Sequence, residues 1–85
     1  MSGEELYNQI AGITFAPPGI QNEFAEGRPC FELYSKVYDA RLRLAERTGI
    51  SFEDRDLLEV IEGLEEIGKL LALCMYQYGL EQRKD

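Results

Sequence analysis

Residues 51–80 read S-F-E-D-R-D-L-L-E-V-I-E-G-L-E-E-I-G-K-L-L-A-L-C-M-Y-Q-Y-G-L, and this stretch decides the fold. Small or apolar residues recur in it at alternating steps of four and three, namely Leu57, Ile61, Leu64, Gly68, Leu71, Met75 and Tyr78. That period is typical of a helix that packs against another helix. We therefore predict a helix over residues 52–78, with Ser51 as its N-cap and Gly79 at its end.

A second helix is predicted just before this stretch, over residues 29–47. Pro29 suits the first helical position, and Gly49 suits the left-handed residue that ends a helix. Apolar residues again follow at steps of four, three and four, namely Leu33, Val37, Ala40 and Leu44. Because the link at residues 48–50 is short, we expect the two helices to form a long antiparallel hairpin, with these residues against Leu57, Ile61, Leu64 and Leu71.

The N-terminal third of the chain predicts a short helix and an ordered loop. Ser2 and Glu5 have the spacing of a capping box, which predicts a helix over residues 3–11 that Gly12 ends. The next segment contains Pro17-Pro18-Gly19 but also large apolar residues, so we expect a loop that lies on the core. The sequence thus predicts one all-α domain over residues 1–85.

The charge of the chain is concentrated in one place. The net charge is −7, and residues 53–66 alone hold seven acids against one base. This balance argues against direct binding to nucleic acid or to an anionic membrane, because both require Lys and Arg. It is compatible with a basic protein partner, which an acidic surface attracts over long range.

Cysteine usage and the N-terminus indicate the compartment. Cys30 and Cys74 are the only cysteines, and the chain has no histidine. One possible pair is not a disulfide framework, and no residues have the spacing of a zinc site or of a Cys-His catalytic pair. The first residues lack the basic and apolar segments of a signal peptide. We expect a cytoplasmic protein with reduced thiols and no cofactor or metal.

The acids of the last helix are the candidates for a polar site. Glu59, Glu62 and Glu66 share one helix face, and such carboxylates are ligands for Mg²⁺. This E-x-x-E pattern resembles half of the motif in all-α nucleotide pyrophosphohydrolases of the MazG type, which gather acids from two helices. The second helix offers only Glu32, Asp39 and Glu46, seven residues apart. We expect a solvated face without metal, with Glu59, Glu62, Glu65 and Glu66 as a possible docking face for a basic partner.

Residues 69–80 are apolar on nearly every side, which predicts burial on every side. A chain of 85 residues has little mass for such burial, and self-association is a common reinforcement of small domains. We therefore predict an interaction surface that includes Leu70, Leu73, Tyr76 and Leu80.

Residues 30–79, and above all E-E-I-G-K-L-L-A-L-C-M-Y-Q-Y-G at 65–79, resemble short uncharacterised helical proteins of Firmicutes genomes and their prophages. The resemblance implies no activity and slightly favours a mobile-element origin. The sequence as a whole predicts a non-catalytic interaction module, either a homo-oligomer or an adaptor. Two alternatives remain open: an acidic inhibitor from a mobile element, and a metal-dependent nucleotide pyrophosphohydrolase.

Overall fold

The computed structural model describes residues 2–83, and these form an all-α fold as predicted. The three helices are α1 (Gly3–Ile10), α2 (Pro29–Thr48) and α3 (Arg55–Arg83). A loop joins α1 to α2, and a short turn joins α2 to α3, so that α2 and α3 form the antiparallel hairpin that the sequence predicts. The bounds differ from the prediction mainly in α3, which begins and ends later than residues 52–78.

The short helix α1 is capped at both ends. The Ser2 hydroxyl accepts a hydrogen bond from the Glu5 amide at 3.1 Å, which satisfies one of the free amides of the first turn. Gly12 follows the helix with a φ of 77°. A Cβ at this position would lie 2.5 Å from Asn22 Oδ1, so the close approach of the loop as well as the backbone conformation requires glycine.

The loop over residues 11–28 is tied to α1 and α2. The Glu23 amide donates to the Ile10 carbonyl at 2.7 Å, and Phe24 makes an edge-to-face ring contact with Tyr34 of α2. The expectation that the whole loop lies on a core is wrong for Ile13 and Phe15, which are 67% and 87% exposed, and Phe24 also keeps 40% of its surface exposed. The Arg28 guanidinium also donates to the Glu23 carboxylate at 2.7 Å, and the Asn22 side chain accepts from the Phe24 amide at 2.9 Å. Hydrogen bonds, this ion pair and one aromatic contact, more than apolar burial, hold the segment.

The turn between α2 and α3 is anchored by one side chain. Arg41 Nε donates to the Phe52 carbonyl at 2.8 Å, and its guanidinium lies 3.6 Å from the centroid of the Phe52 ring. Gly49 ends α2 with a φ of 78°. Arg41 therefore contacts the turn itself and does not pair with the acids that open α3.

Both predicted ends of α3 are corrected by the structure. The N-cap is Asp54, whose carboxylate accepts from the Leu57 amide at 3.1 Å, whereas Ser51 accepts from the Glu53 amide inside the preceding turn. Gly79 lies within α3, which continues to Arg83. Gly79 does not have the positive φ of a helix-ending glycine, and nothing lies within 4 Å of the position that a Cβ would take there.

The three helices pack loosely, and only α1 approaches α3 closely. Throughout the described lengths of α2 and α3, no Cα of one helix comes within 8 Å of a Cα of the other. No side chain among residues 2–83 is buried. The radius of gyration is 16.1 Å, against about 12 Å for a compact domain of this length. The fold is therefore an elongated scaffold without a closed core.

Candidate functional site

The two sides of α3 have different environments, and this difference defines the candidate site. On one side α1 covers Leu73 and Tyr76, since a Cβ on Gly3 would lie 2.8 Å from Tyr76 Cδ1 and 3.5 Å from Leu73 Cδ2. Lys69 belongs to the same side, with its Nζ 3.5 Å from Glu4 Oε1 and 5.7 Å from the centroid of the Tyr7 ring. We call Lys69, Leu73 and Tyr76 the covered face.

The opposite side of α3 carries a continuous line of exposed apolar side chains. At about 100° per residue, its members fall within an arc of about 80° on the helix. Their exposed fractions run from 55% at Ile67 to 75% at Met75. We call this set the exposed stripe: Val60, Leu64, Ile67, Leu71, Met75 and Tyr78.

A groove between α2 and α3 borders the exposed stripe. Its volume is about 300 Å³, and it is lined by apolar or aromatic side chains and a single carboxylate. The lining residues are Phe24, Cys30, Leu33, Tyr34, Val37, Ile61, Leu64 and Glu65. Leu64 belongs both to the groove and to the exposed stripe, so the two form one apolar surface.

The groove continues past the beginning of α2 towards α1. A second depression of about 570 Å³ shares Phe24, Tyr34 and Glu65 with it. Tyr7, Ala11, Ile13 and Phe31 complete its lining. The two depressions therefore form one apolar surface that is lined by residues 30–37 of α2 and 61–65 of α3 and reaches α1.

The seam that the sequence predicts for the hairpin is only partly formed. Leu33 and Val37 do lie across the groove from Ile61 and Leu64, as the periodicity predicts. They do not bury one another, because the two backbones stay more than 8 Å apart along the described helices. Leu71 has 60% of its surface exposed and does not contribute to a closed seam.

The interaction surface predicted at Leu70, Leu73, Tyr76 and Leu80 is divided by the structure. Leu70 remains exposed at 53% and Leu80 at 36%. Leu73 and Tyr76 belong to the covered face and are half-buried by α1. The four residues differ in exposure because α1 packs on the side of α3 that the main periodicity leaves free. Whether they form an interaction surface stays a prediction.

The predicted acidic docking face is also divided. Glu59, Glu62 and Glu66 line an open depression together with Glu53 and Arg55. Glu65 lies elsewhere, at the edge of the apolar groove. Within residues 2–83, no group of three or more acids and cysteines has the geometry to hold a metal ion.

Comparisons with known proteins give no indication of the role of this surface. The chain matches no protein-family model, no curated protein and no solved structure. Over the described part of the chain, no helix combines the length and apolar character that crossing a membrane requires. The site therefore combines an exposed apolar surface with a separate acidic depression, both of them on α3.

Proposed function

We propose that this chain is a non-catalytic protein-interaction module that associates with itself. The observation that supports the proposal is the exposed stripe, whose six apolar side chains lie side by side on a helix that is long enough for pairing. Contiguous apolar patches of this kind mark interaction sites, because water penalises their exposure.

The proposal also accounts for the absence of buried side chains among the described residues. A small domain is stabilised mainly by apolar burial, and each Leu, Ile or Phe that becomes fully buried contributes about 1.5–3 kcal/mol. In the isolated chain this contribution is small throughout residues 2–83. Association would supply the burial that folding of one chain does not.

Sedimentation equilibrium across the micromolar range tests self-association. We expect a mass above that of one chain, and an unfolding temperature that rises with protein concentration. A single-chain mass at all concentrations, with an unfolding temperature independent of concentration, would contradict the proposal.

A second candidate function is docking of the acidic face to a basic partner, as an inhibitor from a mobile element would do. The observation that favours it is the convergence of Glu53, Glu59, Glu62 and Glu66 on one open depression. Attraction of this kind weakens as salt screens it over about 8–10 Å, whereas apolar association does not. Polylysine is a suitable probe, and a variant with Glu59, Glu62 and Glu66 changed to Gln is the control.

The enzyme alternative has less support. It requires acids from α2 as well as α3, and Glu32, Asp39 and Glu46 remain exposed and seven residues apart on α2. Calorimetry with Mg²⁺ and Mn²⁺ tests it directly, and micromolar binding together with hydrolysis of a nucleoside triphosphate would favour the enzyme. We further infer a cytoplasmic location, which the free thiols of Cys30 and Cys74 support.

A further inference from the structure

On the exposed side of α3, the steps between successive apolar residues read the same from either end of the helix. With Cys74 in place of its neighbour Met75, the apolar positions follow at steps of four, three, four, three and four. These positions are Val60, Leu64, Ile67, Leu71, Cys74 and Tyr78. A palindromic series of this kind matches itself when a second copy of the helix runs in the opposite direction.

The midpoint of this series is residue 69, and it sets the register of such a pair. Ile67 of one copy would meet Leu71 of the partner subunit, and Leu64 would meet Cys74 of the partner subunit. Val60 would meet the partner's Tyr78 at either end. A two-fold axis through the midpoint relates all of these contacts, as a symmetric dimer requires.

The charge along α3 favours the antiparallel direction. Within α3, residues 55–66 carry five acids and one base, whereas residues 67–83 carry one acid and two bases. A parallel pair would bring the two acidic halves together, and like charges in close proximity are unfavourable. An antiparallel pair places each acidic half beside the other copy's weakly basic half, and it also opposes the two helix dipoles.

The groove between α2 and α3 provides space for the partner helix. α3 has 29 residues and α2 has 20, so at 1.5 Å per residue α3 is longer by about 14 Å. In the antiparallel register, the C-terminal half of one α3 lies along the N-terminal half of the other α3, where that copy's groove opens. The apolar lining of the groove, including Leu33 and Val37, would then contact the partner's Met75 and the partner's Tyr78.

The solvent-accessible surface of the chain is large enough for a second copy to cover the stripe and the groove. The chain exposes 6896 Å². A compact monomer of 9.7 kDa exposes about 5,100 Å². The excess of roughly 1,800 Å² lies in the range that each subunit buries in an obligate homodimer, about 1,000–2,500 Å².

We propose that two copies of this chain pair α3 against α3 in antiparallel orientation through the exposed stripe, with each α3 end seated in the α2–α3 groove of the other copy. The result is a four-helix arrangement built from two hairpins. This inference rests on the proposed self-association and adds to it a partner, an orientation and a register.

Disulfide trapping tests the register. The variant carries Cys30→Ala and Leu64→Cys and keeps Cys74. In the antiparallel register each introduced thiol lies beside the partner's Cys74, so mild oxidation is expected to produce a covalent dimer. Positions 64 and 74 of one helix are about 15 Å apart, beyond the roughly 7 Å limit between the Cα atoms of a disulfide. The bond must therefore join two chains, and tryptic peptides 56–69 and 70–83 should be found linked to each other.

Two controls accompany this variant. Glu62→Cys in the same background places a thiol on the opposite side of α3 and is expected to give no covalent dimer. A separate variant with Val60→Cys and Tyr78→Cys, in a background of Cys30→Ala and Cys74→Ala, tests the same register at the ends of the stripe. Sedimentation under reducing conditions shows whether Leu64→Cys itself weakens association. If it does, the variant with cysteines at positions 60 and 78 tests the register in its place.

The outcomes separate this inference from the proposed function. Linkage of position 64 to position 74, or of 60 to 78, supports the antiparallel register. Linkage of 64 to 64 and of 74 to 74 indicates a parallel pair and overturns the register while self-association stands. A dimer in sedimentation that cross-links in neither variant also overturns the register. A single-chain mass for the unmodified protein overturns both proposals.

Discussion

The covered face and the exposed stripe lie on opposite sides of the same helix, and they differ in what the chain supplies to each. The covered face has polar as well as apolar anchors, including the Lys69–Glu4 ion pair and the contact of Gly3 with Tyr76. The exposed stripe is more apolar and has the more regular period, yet within residues 2–83 only Leu64 of the stripe borders another helix, across the α2–α3 groove. Regular periodicity therefore identifies an apolar helix surface, but it does not show whether the same chain covers that surface.

The largest expected effect comes from a charge in the middle of the exposed stripe. Leu71→Asp should weaken self-association by about 100-fold or more, because a buried, unpaired carboxylate costs several kcal/mol and about 1.4 kcal/mol is a factor of ten. Sedimentation equilibrium measures the change. Gln77→Asp is the matched control, since it adds the same charge to an exposed position away from the stripe. Equal effects of the two substitutions would show that net charge, and not the stripe, controls association.

A smaller effect is expected at the turn that holds α2 beside α3. Arg41→Ala removes both the hydrogen bond to the Phe52 carbonyl and the contact with the Phe52 ring. We expect the free energy of unfolding to fall by about 1.5–3 kcal/mol, measured by urea denaturation. Arg43→Ala, at an exposed position of the same helix, should change it far less. If both variants lose the same stability, the turn does not depend on Arg41.

On the covered face, truncation should affect stability without affecting association. Leu73→Ala is expected to lower the free energy of unfolding by about 1–2 kcal/mol, less than at a fully buried leucine because Leu73 is half-buried. Leu70→Ala is the control, because Leu70 is more exposed. The two variants should keep the wild-type dissociation constant in sedimentation. Loss of association in Leu73→Ala would show that a partner contacts the covered face of α3 and would contradict association through the exposed stripe.

A further pair of variants distinguishes the two candidate N-caps of α3, Asp54 and Ser51. Asp54→Ala should cost about 1 kcal/mol, because the Leu57 amide loses its acceptor. Ser51→Ala should cost less, because Ser51 stabilises only the preceding turn. Thermal unfolding of the two variants, at one protein concentration, measures the difference. A larger loss at Ser51 would mean that α3 begins where the periodicity predicts and not at Arg55.

The smallest effect is expected at Gly79, and its sign is informative. Gly79→Ala should stabilise the chain by up to about 1 kcal/mol, because Gly79 lies within α3 and nothing lies within 4 Å of the position of an added Cβ. If Gly79 ended the helix in a left-handed conformation, the same substitution would destabilise the chain. Far-UV circular dichroism during thermal unfolding reports both outcomes.

Much of the fold could be predicted because local rules act within one helix turn. Ser2 as the cap of α1, Pro29 as the first residue of α2 and Gly49 as its left-handed end all follow from backbone hydrogen bonding and the conformational preferences of single residues. The same rules misplaced the beginning of α3, because Ser51 and Asp54 are both good caps three residues apart. The choice between them depends on how Phe52 meets Arg41 and Tyr38, which is a tertiary contact.

The candidate site could be predicted only in part. The sequence indicated that residues 69–80 had more apolar surface than the chain could cover, and it placed Leu73 and Tyr76 in one interaction surface with Leu70 and Leu80. It had no means of knowing that α1, which lies more than fifty residues earlier, docks on those two side chains. The predicted acidic docking face also depended on contacts that the sequence does not show. Glu65 has the same helical spacing as Glu59 and Glu62, but it lies at the edge of the apolar groove between α2 and α3.

Helical period, capping residues and charge distribution specify the helices, their order and the existence of apolar surface in α3, because each depends on residues within a few positions of one another. Which side of α3 receives α1 and which side stays open depends on contacts between distant parts of the chain. One such contact depends on the absence of a side chain at Gly3, which leaves room for the ring of Tyr76. Another feature of this kind is the wide spacing of α2 and α3. No local pattern encodes that spacing, and the spacing leaves the apolar groove between α2 and α3 open.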